Sequence, residues 1–74
     1  MDLRQMAAQY RENAMVYAKR LDELRHQLQY NRKLTPEERR RLQQKALMCE
    51  TVIAEALGTA AHLEDFLNDG EEEG

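Results

Sequence analysis

Two runs of apolar residues, each spaced alternately four and three apart, dominate this sequence. Leu3, Ala7, Tyr10, Ala14, Tyr17, Leu21, Leu24 and Leu28 make the first; Leu42, Ala46, Cys49, Ile53, Ala56, Ala60, Leu63 and Leu67 make the second. That spacing keeps one side of an α-helix apolar, and held for about four heptads it is a coiled-coil seam. A strand needs a period of two, and no β-branched alternation of that kind occurs. The residues around both seams are mostly Ala, Leu, Met, Gln, Glu, Arg and Lys, which favour helix. In heptad terms Ala7, Ala14, Leu21 and Leu28 take position a of the first seam, and Leu3, Tyr10, Tyr17 and Leu24 take position d.

The stretch "LTPEERRRL", Leu34 to Leu42, separates the seams. Thr35 suits a helix N-cap, Pro36 the first helical position, and Glu38 the third residue of a capping box. Glu37 and Glu38 also suit the positive end of the helix dipole. The spacing predicts helix 1 over about 2–32, a turn over about 33–35 and helix 2 over about 36–67. Residues 1–67 then form a helical hairpin, and 68–74 an acidic flexible tail with Gly70 as the helix stop. Two long helices joined by so short a turn run antiparallel. With the tip near Thr35, the facing layers are Leu28/Leu42, Leu24/Ala46, Leu21/Cys49, Tyr17/Ile53, Ala14/Ala56, Tyr10/Ala60, Ala7/Leu63 and Leu3/Leu67. Large residues then often meet small ones, as interdigitating layers require.

A 74-residue chain rarely buries enough apolar surface to be comfortably stable alone. Its single cysteine, Cys49, permits no internal disulfide, which suits a reducing compartment. No apolar run follows Met1 as in a signal peptide, and none reaches the length that spans a bilayer. We therefore expect a cytoplasmic protein with no membrane association. Several apolar residues lie off the seams: Met6, Met15 and Val16 in the first helix, and Leu47, Met48, Val52, Leu57 and Phe66 in the second. Met15, Val16, Leu47, Met48, Val52 and Leu57 are the expected interface, one broad patch near the middle of the hairpin. The fold class expected is all-α: a two-helix antiparallel coiled-coil hairpin that dimerises into a four-helix bundle. The alternative use of the same patch is docking on another protein, with the methionines as adaptable contacts.

Charge is polarised along the chain. Residues 19–45 carry nine Lys/Arg against four Asp/Glu, whereas residues 50–74 carry eight Asp/Glu and no Lys/Arg. Arg32, Lys33, Arg39, Arg40 and Arg41 form a basic tip that could contact phosphate. Acidic neighbours dilute it and no recognition-helix unit accompanies it, so nucleic-acid binding is the secondary reading. Tyr10 and Tyr17 fit the seam better than a base-stacking platform. Cys49 has no histidine three or four residues away to activate it. His26 and His62 have no ligand-spaced partner, and the carboxylates of 64–73 lack calcium-loop spacing, so no metal is expected. No nucleophile–base motif, phosphate loop or cofactor motif is present. We expect no enzyme activity and no cofactor. An oligomer that sequesters a small ligand or nucleotide is a further alternative, and would need a polar pocket between chains.

"LDELRHQLQYNRKL" is faintly similar to the first helix of all-helical chorismate mutases, but the third helix and interior charges of that family are missing. "YRENAMVYAKRLDELRHQL" followed by "LTPEERRRLQQKALMCETVIAEALGTAAHLEDFL" resembles uncharacterised short helical-hairpin proteins of phages and mobile elements of gut bacteria. The resemblance rests on heptad leucines and a common helix start over most of the chain. It implies a small cytoplasmic helical protein of such an element, and assigns no catalytic or binding residue.

Overall fold

A computed structural model describes residues 2–73, with side chains as far as Asp69. Helix α1 spans Leu3–Tyr30 and helix α2 spans Pro36–Glu73, and the described residues contain no strand. Each boundary has a chemical cause. Asp2 caps α1: its carboxylate accepts from Gln5 N at 2.8 Å, while Gln5 Oε1 accepts from Asp2 N at 3.3 Å. This reciprocal capping box satisfies donors that the first turn would otherwise leave free. At the other end Asn31 turns extended (φ −86°, ψ 102°) while its N–H still donates to Gln27 O. Its side-chain oxygen accepts from Lys33 N at 3.0 Å. Asn31 therefore ends α1 at Tyr30, two residues before the boundary expected at 32.

The start of α2 follows from Thr35. Its Oγ1 accepts from Glu38 N and donates to Glu38 Oε1, both at 3.1 Å, and its carbonyl accepts the first helical bond from Arg39 N. The far end differs from expectation. Helix α2 continues through Gly70 to Glu73, whereas the sequence reading ends it at Leu67 and assigns 68–74 to a tail. No described glycine adopts the positive φ that a glycine helix stop requires, and no proline interrupts Asn68–Glu73.

The helices lie side by side as a hairpin. Ion pairs join Arg11 to Glu64 and Arg25 to Glu50, so residue numbers rise along α1 as they fall along α2, and the pairing is antiparallel. Leu21, Ala46 and Cys49 form a buried cluster, with Tyr17, Leu24 and Ile53 packed against it. These are the layers Leu24/Ala46, Leu21/Cys49 and Tyr17/Ile53. Every one of the sixteen seam residues is buried or half-buried. The fully buried ones include Ala7, Ala14, Ala46, Ala56 and Ala60. Alanine layers let two helices approach closely, but each buries a single methyl, worth only about 0.8 kcal/mol.

The outcome is a rod of 59 × 18 × 13 Å with a radius of gyration of 16.9 Å. A compact domain of this length would have a radius near 11 Å. A pair of helices has one seam and two open faces. Everything outside the seam meets solvent.

Candidate docking faces

The helical wheel assigns the remaining positions. Arg11, Ala18 and Arg25, each four after an a position of α1, line one side of the seam, with Arg4 seven before Arg11 on the same row. The equivalent positions of α2 are Glu50, Leu57 and Glu64. Arg11 Nε and Nη2 grip Glu64, the second bond at 3.0 Å, and Arg25 Nη2 donates to Glu50 at 2.6 Å. Between the two ion pairs lies an open furrow lined by Arg11, Ala14, Met15, Ala18, Ile53 and Leu57. Leu47, three before Glu50, belongs to this side, as do Ala54 and Ala61, three before and four after Leu57. We call it the paired face.

The opposite side holds furrows lined by Tyr17, Arg20, Leu24, Lys45, Met48 and Cys49 and by Tyr10, Asn13, Val52, Glu55 and Thr59. Val16, three after Asn13 and four before Arg20, lies here too. Arg20 sits 5.6 Å from the centre of the Tyr17 ring, a cation–π contact. Arg20, Lys45 and Glu55 have no ion-pair partner among the described residues.

The structure thus divides the six expected interface residues. Met15, Leu47 and Leu57 lie on the paired face; Val16, Met48 and Val52 lie on the other. Met15 and Val16 lie within a turn of the level of Val52 and Leu57, Leu47 and Met48 lie about two turns nearer the tip, and the seam stands between the two groups. A single broad patch is replaced by two narrower ones. Five of the six are well exposed: Met15 73%, Met48 67%, Leu47 63%, Val16 55% and Leu57 41%; Val52 is half-buried. Phe66 and Tyr30 are also exposed, and Tyr30 leans on His26 with ring centres 4.7 Å apart.

The basic tip is less uniform than its sequence. Arg39 Nη1 donates to Leu28 O at 3.0 Å, one of the last four carbonyls of α1, which lack helical donors. Arg39 therefore ties α2 to the end of α1. Arg32 and Lys33 lie exposed in the turn, and Arg40 and Arg41 are exposed in the first turns of α2. Elsewhere the electrostatics are those of a solvated surface. The hydrogen bond from Arg11 holds the Glu64 carboxyl below the usual glutamate range, and Glu64 in turn raises Arg11. Cys49 is buried. Among the described residues no cluster of His, Cys, Asp or Glu could hold a metal ion, and no helix is long and apolar enough to cross a membrane.

Sequence reasoning did not single out the ion pairs or the alanines of the paired face. Their signal was present: three arginines and an alanine at one heptad position of α1 (Arg4, Arg11, Ala18, Arg25), with Arg32 continuing the spacing into the turn, and glutamates with a leucine at the matching position of α2 (Glu50, Leu57, Glu64, Glu71). Comparison of the chain with protein-family models, curated proteins and solved structures finds no match.

Proposed function

We propose that this chain is a small non-enzymatic helical interaction module that acts by protein–protein docking. Its setting is the cytoplasm, as an accessory or regulatory protein of a phage or mobile element, the class its heptad pattern resembles. Homodimerisation of the hairpin into a four-helix bundle is the docking mode we favour. One observation carries the reading: Met15, Val16, Leu47, Met48 and Leu57 are large apolar side chains standing in solvent on a rod with one thin seam. Exposed apolar surface of this kind on a small protein marks an interface. The test is sedimentation of the full chain across the micromolar range, alongside affinity capture from its host. Self-association, or one stoichiometric partner lost on Met15→Lys or Met48→Lys, supports docking. A chain that stays monomeric and retains no partner refutes it.

A second reading rests on the tip, where Arg32, Lys33, Arg40 and Arg41 have no ion-pair partner among the described residues. Nucleic acid bound there would be released steeply by salt, and Arg40→Glu with Arg41→Glu would abolish binding. Absence of binding to single strands and duplexes at low salt would exclude it.

A further inference from the structure

The two open faces differ in what their burial would cost. On the paired face four flanking charges are already matched within the hairpin, Arg11 with Glu64 and Arg25 with Glu50, and Asp22, three before Arg25, stands there without an ion-pair partner among the described residues. Between the two ion pairs stand Met15, Ala18, Ala54, Leu57 and Ala61, with Leu47 just beyond Glu50, and the small alanines leave room for another helix layer. The other face would carry Arg20, Lys45 and Glu55 into an interface without partners, and an unmatched buried charge is strongly destabilising. Burial therefore favours the paired face.

The surface is also large enough to be shared. The chain exposes 6177 Å², whereas a compact protein of its mass exposes about 4,700 Å². The excess is larger than the roughly 800 Å² that each partner buries in a standard interface.

Charge names the occupant. Residues 32–45, around the tip, carry six Lys/Arg against two Asp/Glu; residues 62–73, toward the opposite end, carry six Asp/Glu and no Lys/Arg. A rod with unlike ends is complementary to a reversed copy of itself. Reversal sets each tip beside the acidic end of its neighbour. It also stacks the exposed ion pairs with like charges on the same side, but exposed matched pairs contribute little, and the net charges at the ends outweigh them.

We propose that a second copy of this chain covers the paired face, tips at opposite ends, across a two-fold axis at the level of Met15 and Ala54. The proposal rests on the docking-module reading and specifies its partner. Each α1 then lies over the other α1 and each α2 over the other α2. The axis crosses near mid-hairpin, so overlap is nearly complete and the assembly closes at two copies.

Sedimentation equilibrium of the full chain tests the face. Ala54→Lys alters a residue that is exposed in the lone hairpin, so helix content by circular dichroism should not change. It should weaken the dimer by roughly tenfold or more in Kd, about 1.4 kcal/mol; Leu57→Lys should do the same. Met48→Lys, on the other face, should leave the dimer intact. Dissociation by Met48→Lys but not by Ala54→Lys would overturn the face while leaving the docking reading standing. A wild-type chain that stays monomeric at about a hundred times a micromolar Kd would exclude the second copy. Docking would then stand or fall on capture of a different partner. Spin labels on Lys33→Cys, in a Cys49→Ala background, test the orientation. The reversed arrangement sets the two tips about 50 Å apart, from the 1.5 Å rise per residue; a short tip-to-tip distance would overturn it.

Discussion

Gly58 lies in the middle of α2 with ordinary helical backbone. A β-carbon built there meets nothing within 4 Å. Glycine inside a helix is about 0.8–1.0 kcal/mol less favourable than alanine, because it loses more backbone freedom on folding. Nothing in the hairpin opposes that difference: no turn needs the glycine, and no neighbour needs its missing methyl. Gly58→Ala should therefore stabilise the chain by about 0.8 kcal/mol. For a domain of this size a change of 1 kcal/mol moves Tm by about 4–8 °C, so the shift should be close to 5 °C. Thermal and urea unfolding, followed by circular dichroism at 222 nm, would measure it. Both should be run at several chain concentrations, because association adds its own stabilisation. An unchanged or lowered Tm would refute the reasoning in one of two ways. Either α2 is not continuous at Gly58, or its outer side is covered within reach of a methyl group. A loss of stability that appears only at high concentration would point to the second cause.

Three further outcomes follow from the seam, the cap and the ion pair. Leu21→Ala empties the centre of the buried cluster with Ala46 and Cys49 and should lower unfolding stability by roughly 3 kcal/mol. A loss below about 1 kcal/mol in urea titration, a typical value for any point mutant, would deny that cluster its role as the core. Thr35→Ala removes both hydrogen bonds to Glu38 and should cost about 1 kcal/mol; Thr35→Ser should restore most of it, and equal losses would exclude the hydroxyl cap. Glu64 should titrate below an ordinary glutamate, as read by carboxyl-carbon NMR, and Arg11→Gln should bring it back up. Because its folded-state pKa is depressed, its contribution to stability is present above the ordinary glutamate pKa. That contribution is lost as pH falls through the folded value.

The seam was legible because its cause is repetitive. Sixteen positions obey one spacing, and each is at least half-buried in the structure. Thr35 and Pro36 were legible because capping chemistry is local. The capping box of Asp2 and Gln5 is equally local, and its spacing could have been read. Helix ends governed by weaker preferences were harder. Asn31 stops α1 through its own side chain, whereas Gly70 passes without a break because glycine permits a stop but does not compel one. The division of the interface residues needed the third dimension. Met15 and Val16 are neighbours in sequence and sit level in the hairpin, yet successive residues turn about 100° around a helix axis. Only with the seam in place does one fall beside Leu57 and the other beside Arg20. The tip shows the same limit: three adjacent arginines look equivalent, and only Arg39 reaches back to Leu28.

The antiparallel register has a kinetic consequence. Each layer joins residues further apart in sequence than the one before it, from Leu28/Leu42 beside the turn to Leu3/Leu67 at the open end. Closing a loop becomes costlier as it lengthens. Once the tip layer has formed, however, every later layer adds only a short extension. The hairpin should fold as a zipper with its slider at Thr35. Defects near the tip would then slow closure, and defects near the open end would mainly hasten opening.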